Sequence, residues 1–403
     1  MKIPELLAPA GNMEKGLIAM EYGADALYLA GKQFGMRAQA GNFSLDEIEE
    51  ILALAKEKRV KVYVTINVFP RNEEIEQLPP YLQELQKLGI DGIILADPGV
   101  YKLARQYAPA VALHLSTQAN TVNYEAARFW GDLGFKRLIM ARELTKNEIA
   151  RICRETDVEV EVFVHGAMCM AYSGRCLLSS FLTGRDANRG ACAQSCRWRY
   201  AVVEEKRPGE YMPVVEDNGG THIFNSKDLR LIEFIPDLVQ MGVDSLKIEG
   251  RMKSSYYVAT VVRAYRLALD LYAADPLNYV LPPELLEELD KVSHRPYYAG
   301  FFKPSDAGIH QLSGGYTRDY DVVGIVESYD SQKCKALVAV RNKLVLGDEV
   351  EVMQPRADVR RVSVTEMIDA QSGLKLREAH ANYTVFIPLE QTEPYSMLRL
   401  KRK

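Results

Sequence analysis

Four of the six cysteines lie within 28 residues, in a stretch that up to residue 199 also holds five arginines and only one carboxylate. Thiolates bind both zinc and iron–sulfur clusters. Structural zinc usually takes thiolates in pairs two to four residues apart, and only the last two of these cysteines approach that spacing. A cluster carries negative charge, which nearby arginines would stabilise. The sequence therefore predicts a 4Fe-4S cluster, with zinc as the alternative, and the candidate ligands are Cys169, Cys176, Cys192 and Cys196.

Disulfides and ordinary reduced thiols are the remaining alternatives for these cysteines. The first eleven residues, MKIPELLAPAG, contain two prolines and a glutamate and lack the apolar core of a secretion signal. Disulfides belong to oxidising compartments, so we expect a cytoplasmic protein whose cysteines bind metal. The longest apolar runs have the length of strands and fall short of the roughly 20 residues needed to cross a membrane. We therefore expect no membrane partner.

The elements that position this loop follow a repeated pattern. A helix that ends on glycine is followed by a short apolar strand and a polar residue, and the glycines are Gly23, Gly89, Gly134 and Gly242. Glycine after a helix adopts the left-handed conformation without a Cβ penalty, and continuous apolar strands are typical of parallel sheets. Eight such strands alternate with helices, which predicts an α/β fold of the (β/α)8 TIM-like barrel type. The alternative, an open doubly wound sheet, would be expected to carry a glycine-rich phosphate loop, which the sequence lacks.

In such barrels, catalytic residues come from the carboxyl ends of the strands. Because Cys169 follows His165 by four residues, we expect the cysteine-rich insertion after strand 7 to lie over the same mouth. His165 and Glu249 are the candidates for moving protons. Arginine binds carboxylates through its paired donors, so the mouth is expected to hold a small anionic, hydroxylated ligand. The candidate binding residues at the strand ends are Asn67, Ser116, Gln118, Arg142 and Arg251.

More ordinary roles stay open for several of these residues. His165 could hydrogen-bond to backbone where its strand turns. Arg142 and Glu143 could form an ion pair at the rim that contributes almost nothing to stability. The polar run at residues 116–120 is harder to explain by packing, because buried polar groups need partners.

The sequence pattern changes after the eighth helix. Residues 1–275 are predicted to form the barrel, with the cysteine loop at 165–200, and residues 276–320 a linker or docking segment. Short alternating strands over 321–403 predict a small antiparallel β-barrel. Tyrosines and arginines on the eighth helix could stack on nucleobases, but at helical spacing such tyrosines more often pack against the barrel. The net charge of −4 excludes a globally basic nucleic-acid-binding surface, although the sequence closes on the basic segment LRLKRK.

One stretch is specific enough to indicate a family. The segment VFVHGAMCMAYSGRCLLSSFLTGRDANRGACAQSCRWRY, with PELLAPAG, YGADALYL, LSTQAN, NSKDLR and DSLKIEGR in order, closely resembles the collagenase-like peptidase (U thirty-two) family over nearly the whole chain. It is most similar to the branch that takes part in prephenate-dependent 5-hydroxylation of wobble uridine in tRNA. The resemblance implies an iron–sulfur barrel with a C-terminal β-barrel like those of translation proteins. Several relatives have a cluster-binding cysteine where this chain has Arg230, which leaves Cys196 as the fourth ligand.

Three functional hypotheses follow. The first is a tRNA uridine 5-hydroxylase that uses prephenate as co-substrate and acts on the anticodon loop, where the target base is already unstacked. The second is a collagenase-like peptidase, which needs an activated nucleophile such as Cys169 beside His165. The third is a non-catalytic protein whose cluster senses redox state or holds a complex together. A single cysteine cannot be both a free nucleophile and a cluster ligand.

Overall fold

The computed structural model describes residues 2–32, 34, 41–168, 176–185, 192–195, 216–217, 220–221, 227–303 and 318–402. Strands and helices alternate through the first part of the chain. The strands are β1 (Glu5–Pro9), β2 (Ala26–Ala30), β3 (Lys61–Ile66), β4 (Gly92–Leu95), β5 (Ala112–Leu115), β6 (Arg137–Ile139) and β7 (Glu159–Ala167). The helices are α1 (Met13–Glu21), α2 (Leu45–Lys58), α3 (Asn72–Ile75), α4 (Leu78–Leu88), α5 (Pro98–Tyr107), α6 (Tyr124–Asp132) and α7 (Lys146–Glu155).

The elements after β7 complete the first part of the fold. They are α8 (Leu178–Thr183), β8 (Glu216–Asp217), β9 (Gly220–Thr221), β10 (Asp228–Arg230), α9 (Ile235–Gln240), β11 (Ser245–Ile248), α10 (Ser255–Ala274), α11 (Pro283–Asp290) and β12 (Tyr297–Tyr298). Strands β1 to β7 pair in parallel with their neighbours in chain order, and β11 pairs in parallel with both β1 and β7. The eight strands therefore close into a barrel, as the sequence predicts.

Local sequence explains where the helices begin and end. Ser44 and Thr145 cap α2 and α7, and in both cases a glutamate three residues later completes a capping box. The four glycines of the repeated phrase all have positive φ, as left-handed turns into a strand require, and they are Gly23, Gly89, Gly134 and Gly242. Asp97 accepts hydrogen bonds from the first backbone N–H groups of α5, so it serves as a cap. The predicted junctions between helix and strand are confirmed.

The chain departs from the expected pattern between β7 and β11. The sequence predicts one long helix from about residue 225 into strand eight, but residues 228–230 form β10, which pairs antiparallel with the end of β7, and α9 starts only at Ile235. The expected caps, Asn225 and Ser226, lie outside the described residues. β12 then adds to β10 in parallel. The extended end of β7 supplies free backbone groups that β10 satisfies, which outweighs helix formation there.

The last part of the chain is a seven-stranded antiparallel sheet that curls into a half-barrel, with an additional two-stranded ribbon. Its order is β17-β16-β21-β13-β14-β20-β18, and among the described strands no pairing joins β17 to β18. The strands are β13 (Tyr320–Asp330), β14 (Lys335–Val340), β15 (Leu344–Val345), β16 (Glu349–Met353), β17 (Arg360–Ser363), β18 (Ile368–Asp369), β19 (Glu378–Ala379), β20 (Thr384–Pro388) and β21 (Met397–Lys401).

A buried ionic cluster joins this sheet to the helices of the barrel. Arg399 on β21 is fully buried and bonds to Glu288 of α11 at 2.7 Å and to Glu351 of β16 at 2.8 Å. The Tyr256 hydroxyl of α10 lies 3.1 Å from the same guanidinium. Tyr22 of α1 donates to the carbonyl oxygens of Met353 and Tyr395. The sheet and the barrel therefore share one packed interface.

The basic segment LRLKRK is largely part of a strand and does not form a solvated tail. Residues 397–401 form β21, which lies between β13 and β16, and Arg399 is buried there, so it cannot contact a nucleic acid. Tyr256, Tyr257, Tyr265 and Tyr272 on α10 are all buried, as expected of packing residues. Among the described helices, none combines the length and apolarity needed to span a bilayer.

Candidate active site at the barrel mouth

A buried ionic network fills the amino-terminal half of the barrel. Arg137 of β6 pairs with Glu5 of β1 at 2.5 Å, with Glu159 at 2.7 Å and with Glu161 of β7 at 3.3 Å. Lys247 of β11 donates to the other oxygen of Glu161 at 2.8 Å. Burying charges is costly unless each has partners, and these partners are present. The network fixes the layer of side chains that lies directly below the mouth.

Two aromatic rings separate this network from the mouth. The Lys247 ammonium lies 4.5 Å from the ring centroid of Tyr28 on β2 and 5.5 Å from that of Phe163 on β7. On Phe163, the Arg142 guanidinium stacks at 3.9 Å from the ring centroid. Cations are attracted to aromatic faces, so Phe163 holds one cation from the interior and one from the mouth.

Arg142 also contacts the start of the cysteine-rich insertion. Its Nη1 donates to the carbonyl oxygen of Ala167 at 2.6 Å, two residues before Cys169. Its Nε is buried and has no hydrogen-bond partner among the described residues. The adjacent Glu143 is half-buried, and burial raises the pKa of its carboxyl group. The Arg142 guanidinium therefore contacts the backbone through Nη1 and the Phe163 ring through its face, and its buried Nε–H is unpaired among the described residues.

The polar run after β5 lies on the adjoining loop. Ser116 caps a short 3-10 turn, and its hydroxyl donates to Gln118 Oε1 at 3.1 Å. The hydroxyl of Thr117 donates to the Met140 carbonyl oxygen at 3.0 Å, which ties this loop to the segment that carries Arg142. Gln118 is 3% exposed, and its Nε2 has no hydrogen-bond partner among the described residues. A buried amide that is left unpaired costs about 1–3 kcal/mol, which a bound acceptor would offset.

The opposite side of the mouth is formed by β3 and β11. The Tyr28 hydroxyl lies 2.9 Å from the Ile248 carbonyl oxygen and 3.3 Å from the Glu249 carboxylate. Arg251 is 4% exposed, and its Nη1 lies 3.5 Å from the Thr65 hydroxyl at the end of β3. Gly11 approaches the Arg251 carbonyl oxygen so closely that a Cβ there would lie 2.1 Å from it. The expected residue Asn67 is half-buried directly after β3.

His165 lies apart from these groups. The register of β7 against β11 shifts by one residue between Lys247 and Ile248, opposite Val164. The His165 ring then packs among Tyr257 and Tyr265 of α10 and Tyr297 of β12, at 5.1 to 5.9 Å between centroids. Burial lowers the pKa of His165 well below its ordinary value. Its role in proton transfer stays a prediction that this placement does not favour.

The alternative role for His165, a hydrogen bond to backbone where its strand turns, is wrong within the described residues. Neither ring nitrogen has a hydrogen-bond partner there, so the ring does not bond to backbone at the strand turn. Arg230, in register with His165 on β10, forms ion pairs with Glu233 at 2.9 Å and Asp290 at 3.4 Å. Arg230 is thus engaged in two ion pairs near the surface.

Two of the four candidate metal ligands can be located. Cys176 is half-buried and Cys192 is exposed, both are free thiols, and Cys169 and Cys196 lie outside the described residues. The Ala193 N–H donates to the Ser179 hydroxyl at 2.9 Å, which holds the Cys192 segment against the helix that follows Cys176. The Gln194 N–H lies 3.3 Å from the Cys192 sulfur. Within the described ranges no three potential ligands converge, so the metal site stays a prediction.

The donor set itself fits a thiolate-bound group. Neither of the two located sulfurs forms a disulfide, and a backbone N–H directed at a sulfur is the kind of contact that stabilises a cluster ligand. The Arg142 contact to Ala167 places the start of the cysteine insertion beside the mouth. The expected position of the insertion, after β7 and next to the strand ends, therefore agrees with the described backbone up to Met168.

The sequence did not predict four residues that lie in or below the mouth, namely Lys247, Glu161, Tyr28 and Phe163. A signal existed, because Lys247 is a lone cation in the apolar strand SLKI, and Glu161 alternates with valines in EVEVFV. Charged residues in a buried strand need partners inside the fold. The pattern alone does not reveal which strands supply those partners.

Sequence comparison identifies the family. The patterns described as Peptidase family U32 and Peptidase family U32 C-terminal domain match residues 11–311 and 318–399. This chain belongs to peptidase family U32. Within U32, the chain is 45% identical over 359 residues to tRNA hydroxylation protein P1 of Bacillus subtilis, covering 89% of this chain and 85% of the relative. The resemblance drawn from the sequence motifs is thereby confirmed.

Other U32 relatives are similar over nearly the full length. The chain is 36% identical over 430 residues to tRNA hydroxylation protein P of Escherichia coli, covering 96% of this chain and 94% of the relative. It is 33% identical over 379 residues to a protein named Collagenase from Porphyromonas gingivalis, covering 90% and 89%. Family membership alone therefore does not choose between the two activities.

Proposed function

We propose that this U32 protein is a tRNA-modifying enzyme that takes part in 5-hydroxylation of a wobble uridine, with prephenate as co-substrate and a 4Fe-4S cluster as cofactor. Two relatives that align over most of the chain are named tRNA hydroxylation proteins. The structural observation that carries the proposal is a pair of buried donors, Gln118 Nε2 and Arg142 Nε, which have no partner among the described residues. They lie on adjoining loops at the carboxyl end of the barrel.

Unpaired buried donors point to an acceptor-rich ligand. Prephenate carries two carboxylates and a hydroxyl group, which could satisfy Gln118, Arg142 and the Ser116 hydroxyl. Arg251 and Asn67 lie across the mouth, where they would bind the second carboxylate. Glu249, which is half-buried and lies within hydrogen-bonding distance of Tyr28, is the better placed of the two expected groups for moving a proton.

The cofactor would be held at the edge of this mouth. Cys169, Cys176, Cys192 and Cys196 are the proposed ligands, and a bound 4Fe-4S cluster supplies one-electron redox chemistry. Zinc remains the alternative for the same thiolates. The contact between Arg142 and Ala167 at the start of the insertion supports this arrangement, in which a group bound by the cysteines would lie near the co-substrate.

The macromolecular partner in this proposal is the anticodon loop of a tRNA. Bases in such loops can be presented unstacked, as chemistry on a base requires. Contacts from lysines and arginines to phosphates would make binding weaken as salt rises. Arg399 cannot take part, because it is fully buried, whereas Lys401 at the end of the same strand is exposed.

The decisive experiment is complementation. A bacterial strain that lacks its own prephenate-dependent tRNA hydroxylation, and any second enzyme that masks the loss, is supplied with this chain, and its tRNA nucleosides are analysed by mass spectrometry. We expect 5-hydroxyuridine derivatives to return, and to depend on a functional route to prephenate. Unmodified uridine despite normal protein levels would refute the proposal.

The peptidase hypothesis is the second candidate, because one full-length relative is named Collagenase. It predicts gelatin cleavage by purified protein and loss of cleavage on Cys169→Ser. The hydroxylation proposal predicts brown, iron-containing protein that leaves gelatin intact. Colourless protein that cleaves gelatin would favour the peptidase.

A further inference from the structure

An exposed phenylalanine lies close to the start of the cysteine-rich insertion. Phe301 is 51% exposed and belongs to a short 3-10 turn, Gly300–Phe302, that follows β12. Among the described phenylalanines only Phe129, on the outer helix α6, is exposed to a similar extent. Single exposed apolar side chains are common on protein surfaces, so the surroundings of Phe301 decide whether it has a role.

The turn that carries Phe301 is packed on both sides of the exposed ring. Gly300 has a positive φ of 59°, and a Cβ there would lie 3.0 Å from a methyl group of Leu229 on β10. Phe302 is buried, and its ring lies 5.2 Å from the ring of Phe234, the residue before α9. The exposure of Phe301 therefore follows from the packing of its neighbours, which hold the ring in solvent.

A series of contacts connects this turn with the Arg142 side of the mouth. A Cβ on Gly300 would lie 3.9 Å from the terminal methyl of Met168, the residue before the first cysteine of the insertion. The preceding residue, Ala167, accepts the hydrogen bond from Arg142 Nη1 at 2.6 Å. On β12, burial raises the pKa of Tyr298 to about 12, and the charge of Arg142 acts on the same hydroxyl in the opposite direction. The turn therefore lies at the edge of the mouth.

A cation lies two residues beyond the exposed ring. Lys303 is exposed, and it has no carboxylate partner among the described residues. Proteins bind single-stranded nucleic acids by this combination, in which an aromatic ring stacks on a base and a cation pairs with the phosphate backbone. An apolar docking site for a protein would instead need several exposed apolar side chains in contact, and both residues beside Phe301 are buried.

We propose that the exposed face of Phe301 stacks on an unpaired base of the tRNA anticodon loop, next to the uridine to be modified, and that Lys303 contacts a nearby phosphate. The proposal deepens the function proposed above and rests on it for the identity of the RNA. Every base has a π-face, so the contact fixes the position of the loop at the mouth without reading its sequence. The binding surface for the ring is solvent-exposed, so no side chain has to move to admit the base.

The first test measures the affinity of the full chain for RNA. An unmodified anticodon stem–loop is titrated with protein at fixed salt and followed by fluorescence anisotropy. Phe301→Ala should raise the Kd about ten-fold, because the stacking of one base on an aromatic ring is lost. Phe301→Leu keeps an apolar side chain without a ring and should weaken binding nearly as much, whereas Phe301→Tyr should stay close to the wild-type affinity. Phe129→Ala is the matched control and should leave the Kd unchanged.

Two further measurements distinguish stacking from charge. A 2-aminopurine placed beside the wobble position should lose fluorescence on binding to the wild-type protein, because stacking quenches it, and should stay bright with saturating Phe301→Ala. The slope of log K against log salt concentration should be the same for Phe301→Ala and the wild type. Lys303→Gln should reduce that slope by about 0.7, the value for one lost phosphate contact with a single strand.

The outcomes separate this proposal from the function on which it rests. A wild-type protein that binds no RNA, or a Phe301→Ala variant with unchanged affinity and quenching, would overturn the stacking contact even if the chain restores 5-hydroxyuridine in cells. Equal losses in Phe301→Ala and Phe129→Ala would overturn it as well. If only the Phe301 variants lose affinity but the complemented strain gains no hydroxylated uridine, the stacking contact stands and the tRNA activity is refuted.

Discussion

The Arg142 guanidinium donates a hydrogen bond to the carbonyl oxygen of Ala167 at 2.6 Å. This contact connects the end of β6 with the end of β7, at the point where the cysteine-rich insertion begins. The same guanidinium stacks on Phe163 and retains a buried Nε without a partner in the described structure, so one side chain contacts the start of the insertion and an interior ring and still has a donor to offer.

Substitution of Arg142 should therefore impair activity more than stability. In Arg142→Lys the charge remains, but the paired donors and the planar contact with Phe163 are lost. We expect the KM for prephenate to rise about ten- to a hundred-fold, because charge-assisted hydrogen bonds contribute about 1.5–3 kcal/mol. The matched control is Arg128→Lys, an exposed ion pair with Glu125 that should leave the kinetics unchanged. Equal effects of the two substitutions would contradict the assignment.

Gln118→Leu should separate binding from folding. The substitution removes a buried Nε2 that lacks a partner among the described residues, but it also removes the Oε1 that accepts from the Ser116 hydroxyl. Because these two effects oppose each other, the free energy of unfolding should stay within about 1 kcal/mol of the wild-type value. Affinity for the anionic ligand should fall about ten-fold, as measured by calorimetry. Gln77→Leu, at an exposed amide, is the control. A large loss of stability with unchanged affinity would show that Gln118 serves packing alone.

The cysteines provide their own controls. Purified under nitrogen, the wild-type protein should contain iron and sulfide near about four per chain. Cys176→Ser and Cys192→Ser should each lower that content and bleach the absorption of the cluster. Cys153→Ser, on α7, and Cys334→Ser, at an exposed turn, should leave it intact. Stoichiometric zinc with no iron would show that these cysteines bind zinc and not a cluster.

Arg399 should be important for stability and irrelevant to binding of tRNA. Removing it in Arg399→Ala leaves Glu288 and Glu351 with the partly exposed Lys291 as the cation they share, and breaking a buried pair in this manner costs up to about 3–5 kcal/mol. Denaturant unfolding should detect the loss. Arg402→Ala, which removes an exposed partner of Asp321, should cost far less. Similar losses in both variants would contradict the buried role of Arg399.

The same cluster makes stability depend on pH. Burial works against ionisation of Glu288, but the hydrogen bond and charge of Arg399 outweigh it and hold the pKa of Glu288 below the ordinary 4.5. A carboxyl group with a lowered pKa stabilises the fold above its ordinary pKa, and this stabilisation is lost as the pH falls through the folded-state value. The stability difference between wild type and Glu288→Gln should therefore be full above about pH 5 and shrink in more acidic solution. A difference that is constant down to pH 3 would exclude this linkage.

The sequence was sufficient to predict the barrel, because glycine turns and apolar strands are local signals that recur at every repeat. It also placed Ser116, Gln118, Arg142, Glu249 and Arg251 at strand ends. It did not predict where His165 points, because the register shift at Val164 reverses which face of the strand a side chain occupies, and such a shift has no mark in the sequence.

The sequence also did not predict which buried charged residues pair with each other. Lys247 and Glu161 are 86 residues apart in the chain, and only closure of the barrel brings them to 2.8 Å. Arg399 appeared to belong to a basic tail, because four cations among the last five residues resemble a solvated terminus. Its burial depends on Glu288 and Glu351, whose positions follow from how the sheet packs on α10 and α11. Long-range electrostatic pairing of this kind is a property of the assembled fold.

The position of β21 has a consequence for handling the protein. This strand lies in the interior of its sheet and bonds to β13 on one side and β16 on the other. A chain cut upstream of Met397 would leave two separate groups of strands, each with a bare edge of unpaired backbone groups. Such edges recruit other chains, so truncation at this end should produce aggregates rather than a smaller soluble protein.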